Sequence, residues 1–119
     1  MSLDFYDSTG RPYAYSDDGE TIYTFPGKPV AYIDGNSIYG FDGAHLGYFE
    51  DGSIRDSAGN VLLFTADSSG GPIKPVRQIK PVKGIKQIKP IRGIKQIKPI
   101  KPLKTISWSP VPPEAVFER

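Results

Sequence analysis

The side chains that offer chemistry in this chain fall into two arrays. The first is a run of cations at every third position, Lys74, Arg77, Lys80, Lys83, Lys86, Lys89, Arg92, Lys95, Lys98, Lys101 and Lys104. Positive charge at so regular an interval suits a polyanion, an anionic surface or a matching set of carboxylates. The second is a set of aromatics, Tyr15, Tyr32, Tyr48 and Phe64, spaced 16 or 17 residues apart. Repeated aromatics serve either as core or as the walls of a symmetric ligand pocket with apolar faces and polar tips. The remaining candidates are poor. There is no cysteine, and His45 is the one histidine, so thiolate and clustered imidazole metal sites are absent. No serine stands in a nucleophile context, and no phosphate loop or dinucleotide motif is present. The carboxylates of Asp34-Gly35, Asp42-Gly43 and Asp51-Gly52 are what tight turns require. No catalytic residue, metal or cofactor is therefore expected, and the chain is expected not to be an enzyme.

The elements that must position these arrays are repeats. Four units begin at Phe5, Ile22, Ile38 and Ile54. Five residues into each lies a glycine, Gly10, Gly27, Gly43 or Gly59, and ten residues in lies one of the four aromatics. The units close on Asp18-Gly19, Asp34-Gly35, Asp51-Gly52 and a looser Asp67-Ser68-Ser69-Gly70. Glycine turns between short runs of Tyr, Ile, Val and Phe predict one hairpin per unit. Between the large residues of the second half-unit sit Ala14, Ala31 and Gly47, with Leu63 breaking the pattern in the fourth. His45 occupies the place of Pro12, Pro29 and Val61, which predicts packing. A repeat that cannot bury its apolar face alone is best closed around an axis. The expected fold is all-β: a shallow pseudo-four-fold ring or barrel of about eight short antiparallel strands over residues 4–70, followed by an extended tail over residues 71–119.

The tail reads in triplets of an aliphatic, a basic residue and then Pro, Gln or Gly, and a near-identical nonapeptide occurs at Val82–Pro90 and Ile91–Pro99. A period of three with interspersed prolines fits neither helix nor central strand but matches polyproline II, which stacks the aliphatics on one edge and the cations on another. An aliphatic edge of that length is expected to be covered, preferably by the protein itself. Charge favours the same contact. Residues 1–72 carry three basic side chains against eleven carboxylates, and residues 73–119 carry twelve against two.

The runs Ile22-Tyr23-Thr24-Phe25-Pro26-Gly27-Lys28-Pro29-Val30-Ala31-Tyr32-Ile33, Ile38-Tyr39-Gly40-Phe41-Asp42-Gly43 and His45-Leu46-Gly47-Tyr48-Phe49-Glu50-Asp51-Gly52 resemble the bacterial four-fold β-flower family. The resemblance covers residues 4 to about 65 and leaves the Ile-Lys-Pro tail as an unrelated addition. It implies a flat, flower-like β ring, comparable in fold to tubby-like domains that bind membrane lipids, and implies no activity or site residues. The expected function is a non-enzymatic binding or scaffolding module whose basic tail docks on its own acidic domain or on an anionic surface. The alternative is a small-ligand or lipid-binding domain with a tyrosine-lined centre and the tail as an electrostatic membrane anchor. Nucleic acid is the weaker partner, because no aromatics interleave the cations. With no apolar run long enough for a membrane span and an acidic N-terminal segment, a cytoplasmic location is expected. Nothing in the sequence sets an oligomeric state.

Overall fold

The computed structural model describes residues 2–118. Its eight strands are β1 (Leu3–Tyr6), β2 (Pro12–Ser16), β3 (Thr21–Thr24), β4 (Pro29–Asp34), β5 (Ser37–Tyr39), β6 (His45–Glu50), β7 (Ser53–Arg55) and β8 (Val61–Phe64). Each pairs with the next in antiparallel fashion, and β8 returns to β1 through Tyr6 and Phe64, so the sheet is a closed barrel without free edges. The register shifts once in every hairpin, at Phe5/Tyr6, Ile22/Tyr23, Ile38/Tyr39 and Ile54/Arg55. A bulge raises local twist and curvature. Repeating it at one place in four hairpins closes a sheet of strands only three to six residues long.

The turns repeat as strictly. Within the hairpins Gly10, Gly27, Gly43 and Gly59 each donate N–H to the residue three positions back, Asp7, Thr24, Gly40 and Asp56. All seven glycines predicted at turns between Gly10 and Gly59 have positive φ, from 63° to 110°. At the β6–β7 connection Asp51 joins Gly52 with φ values of 52° and 76°, the pairing that a two-residue hairpin turn demands.

The barrel interior is identified by the contact of Phe5 in β1 with Phe49 in β6, ring centroids 6.0 Å apart, since these strands meet only across the centre. In register with Phe5, Ile22, Ile38 and Ile54 stand Ala14, Ala31, Gly47 and Leu63. A large side chain thus faces a small one in three hairpins, and Leu63 fills the fourth. A Cβ on Gly47 would lie 2.1 Å from the carbonyl oxygen of Arg55, so the narrow barrel leaves no room there for a side chain.

One element departs from the extended tail expected over residues 71–119. Helix α1 (Pro113–Phe117) has proline at its first position and Glu114 in its first turn, both ordinary helix-start features. Phe117 belongs to the core cluster that holds Tyr13, Val30, Leu46 and Leu62, one residue from each hairpin, and its ring lies 6.0 Å from that of Tyr13. The helix therefore plugs one end of the barrel. Tyr13 donates its hydroxyl hydrogen bond to Glu118 Oε2 at 2.7 Å, and Arg11 pairs with Glu114 at 2.7 Å, fixing the plug at its rim.

Candidate functional site

The tract after Gly71 contains no helix, strand, turn or bend from residue 73 to 105. It makes one circuit of the barrel. Gln78, Gln87, Gln96 and Thr105 donate their backbone N–H to the carbonyl oxygens of Gly10, Gly27, Gly43 and Gly59 at 2.8–3.2 Å. Donors nine residues apart thus meet acceptors one hairpin apart. Nine extended residues at about 3.1 Å each cover about 28 Å. That is close to a quarter of the perimeter of a molecule with principal extents 36 × 36 × 25 Å. The circuit ends where Ser107, Trp108 and Ser109 run parallel to β8 around Val61.

The turn glycines have a second duty in this contact. A Cβ on Gly10, Gly27, Gly43 or Gly59 would stand 2.0–2.1 Å from the carbonyl oxygens of Val76, Ile85, Ile94 or Leu103. The same residue that permits the turn permits the tract to touch it. In the two middle quarters the tract has glycine as well. Gly84 and Gly93 donate to the carbonyls of Phe25 and Phe41 at 2.7 Å, and a Cβ on either would collide with Pro26 or Asp42 backbone.

The third residue of each triplet faces the barrel, and the cations lie along its outer wall. Asp4 holds Lys80, Asp17 holds both Lys83 and Lys86, Glu20 holds Arg92, Asp34 holds Lys95, and Glu50 and Asp51 hold Lys101 and Lys104. Lys86, Lys95 and Lys104 lower the carboxyl pKa values of Asp17, Asp34 and Asp51, and the pKa values of those lysines rise in return. The cations also cover tyrosine faces. Lys83 lies 4.2 Å from the ring centre of Tyr15 and Arg92 3.9 Å from that of Tyr32. Arg77, Lys86 and Lys95 lie 5.3–5.8 Å from Tyr6, Tyr23 and Tyr39. Four predicted anion-binding cations, Lys74, Arg77, Lys89 and Lys98, have no carboxylate partner among the described residues. Lys74 donates instead to the Gly70 carbonyl.

One alternative that the sequence left open falls away, and one expectation is overturned. Tyr15, Tyr32, Tyr48 and Phe64 line no central pocket: they are 0–5 % exposed on the outer wall beneath the tract. The principal surface clefts, about 240 to 620 Å³ each, are walled by other residues. Tyr48 donates to the Pro99 carbonyl at 3.2 Å, and Trp108 covers Phe64 at 5.8 Å. The aliphatic edge is not buried either. Twelve side chains from Ile73 to Ile106, one per triplet, are 79–97 % exposed. The physical reason is that a three-edged chain has one edge for its hydrogen bonds to the turns and one for its charges. The aliphatics take what remains.

His45 sits in the seam between barrel and tract. Its ring lies 5.2 Å from Tyr39 and 4.8 Å from Tyr48, its Nε2 meets Ser37 Oγ at 3.1 Å, and its backbone N–H donates to the Gln96 side chain at 2.9 Å. Burial, and then the charge of Lys98, lowers its pKa. The His–Ser contact resembles half of a nucleophilic pair, but Nδ1 has no orienting partner and Ser37 is buried under the ring. The packing role stands. Among the described residues no group of His, Asp and Glu side chains is arranged to hold a metal ion, and no helix is long and apolar enough to cross a membrane.

A barrel of four bulged hairpins encircled by its own basic tract is a four-fold all-β module. The chain belongs to the 4-fold beta flower protein family, whose match runs over residues 3–117. That span takes in the tract and the plug helix as well as the hairpins, so the tail is not the unrelated addition expected from the first 65 residues. No curated protein and no solved structure matches the chain.

Proposed function

We propose that the chain is a non-enzymatic binding module in which the basic tract is an intramolecular girdle and the surface offered to partners is the aliphatic belt outside it. The observation that carries this reading is the division of the tract's edges. Seven of its eleven cations rest on the chain's own carboxylates, while every aliphatic from Ile73 to Ile106 points away from the barrel. A tract used mainly to capture a polyanion would keep its charges free. A row of twelve large aliphatics left in solvent along one edge of a folded domain is an apolar surface open to a partner.

Hydrogen exchange with limited trypsin digestion, at low and high salt, tests the seated girdle. The amides of Gln78, Gln87 and Gln96 are expected to be protected, and cleavage after the tract lysines is expected to be slow at low salt and faster at high salt. Immediate digestion of the tract at every salt concentration, leaving a stable fragment that ends at Arg77, the first tract cation not followed by proline, would overturn the reading and return the cations to an external anionic partner.

A further inference from the structure

We infer that one arc of the belt, from Ile88 to Ile97, is a lipid-contact surface: its aliphatics enter the interfacial region of an anionic bilayer, and Lys89 and Lys98 meet the headgroups. The inference rests on the seated girdle of the proposed function.

Charge selects the occupant. Among the described residues four of the tract's cations have no carboxylate partner, and for two of them the cause is visible in the repeat. Lys80 pairs with Asp4. One and two nonapeptides later come Lys89 and Lys98, but the counterparts of Asp4 one and two hairpins later are Thr21 and Ser37. The acid is lost and the base is kept. From Ile73 to Pro113 the chain has no Asp or Glu, so every charge that the tract itself places beside the belt is positive. A second copy meeting this belt would bring cations against cations. Two rounded rims would also share only a short arc, well below the area of a stable dimer.

Shape excludes a solid partner on similar grounds. Consecutive aliphatics on an edge of period three stand about 9 Å apart. A protein surface would need a separate pocket for each, repeated around a curve. Fluid hydrocarbon needs no such match, and aliphatics interspersed with cations are the composition that anionic interfaces retain.

The test is co-sedimentation of the full chain with vesicles of phosphatidylcholine alone and of phosphatidylcholine mixed with phosphatidylserine, over a salt series, with trypsin resistance measured on the same samples. The variants are Ile88→Ser/Ile91→Ser/Ile97→Ser and Lys89→Gln/Lys98→Gln. Among the described residues none of the five side chains makes an ion pair with the barrel, and Lys98 reaches His45 and Asp34 only through its charge, so denaturation midpoints at neutral pH should match the parent. The parent should bind the mixed vesicles. The isoleucine variant should lose about tenfold or more in partitioning, and the lysine variant should lose most of the preference for phosphatidylserine. Three results overturn the inference while leaving the girdle intact: no vesicle binding by trypsin-resistant protein, binding indifferent to the isoleucines, or concentration-dependent self-association in sedimentation velocity that the isoleucine variant abolishes. Rapid digestion of the tract overturns both.

Discussion

The hairpins and the tract are both repetitive and both rich in isoleucine, yet they treat it in opposite ways. Ile22, Ile38 and Ile54 are buried in the barrel, whereas Ile85, Ile88, Ile91, Ile94 and Ile97 are almost wholly exposed. The difference lies in where the backbone finds its hydrogen-bond partners. A strand in a closed barrel satisfies its donors sideways, within the sheet, and is free to turn one face inward. An extended chain without internal hydrogen bonds must direct some of its own toward another surface. Here those donors serve the turn carbonyls, so the residues beside them turn inward and the isoleucines turn out. Hydrophobicity alone does not decide burial when a segment has three edges and one surface to lie on.

The sharpest way to break this comparison is to remove the tract together with the plug helix that follows it. A chain ending at Pro72 leaves Tyr15, Tyr23, Tyr32 and Tyr39 without the cover they now have, and burial of one such side chain contributes about 1.5–3 kcal/mol. For a domain of this size the loss matches the whole of a typical stability. Residues 1–72 alone are expected to lose their cooperative unfolding transition and to bind a hydrophobic dye. A sharp thermal transition near that of the full chain would show that the barrel does not depend on its girdle.

Next in size is Gly43→Val. Left-handed backbone costs a side-chain-bearing residue about 1–2 kcal/mol, and crowding against Ile94 adds about 1–3 kcal/mol. A loss of about 3 kcal/mol is expected by chemical denaturation. Ser57→Ala, at an exposed position in the corresponding turn of the next hairpin, should stay within about 0.5 kcal/mol. Equal midpoints would separate the turn from the tract contact.

Acid should act in two stages. Burial lowers the pKa of His45, so its neutral form is favoured by the fold. Its contribution is complete above the ordinary histidine value of 6.5 and is lost as pH falls below it. Asp17, Asp34 and Asp51 also have lowered values, so their contribution persists below pH 6.5 and is lost only as pH falls below the ordinary 3.8. His45→Val, which copies Val61 of the fourth hairpin, should remove the first stage of the stability–pH curve and leave the second. The smallest effect belongs to Ile94→Ser. With that side chain in solvent, its denaturation midpoint should match the parent within about 0.5 kcal/mol, and a larger loss would mean that the belt supports the fold.

The hairpins were readable because each turn needs a glycine and each strand a large apolar residue, and these recur in register. Which face turns inward was not readable. Tyr15 and Phe5 are both large and aromatic, and only the bulge and barrel closure distinguish them. The tract's three-residue pattern was legible, but its orientation depends on main-chain donors that the side chains do not report. A usable signal was present in the nine-residue spacing of Gln78, Gln87, Gln96 and Thr105, which divides the tract into as many parts as there are hairpins. Helix α1 escaped because five residues are too few to show a period.

The tract visits the hairpins in the order in which they were built, so the main chain travels twice around one axis in the same sense. The second lap has no path until the first has closed. Anchored first at Gly10, it advances in steps that each close a loop of only nine residues, an inexpensive closure compared with the 68-residue separation between Gly10 and Gln78. Folding therefore has a direction imposed by topology. On the ribosome the girdle emerges after the aromatic wall it covers, and in refolding the amide of Gln78 should gain protection before that of Gln96.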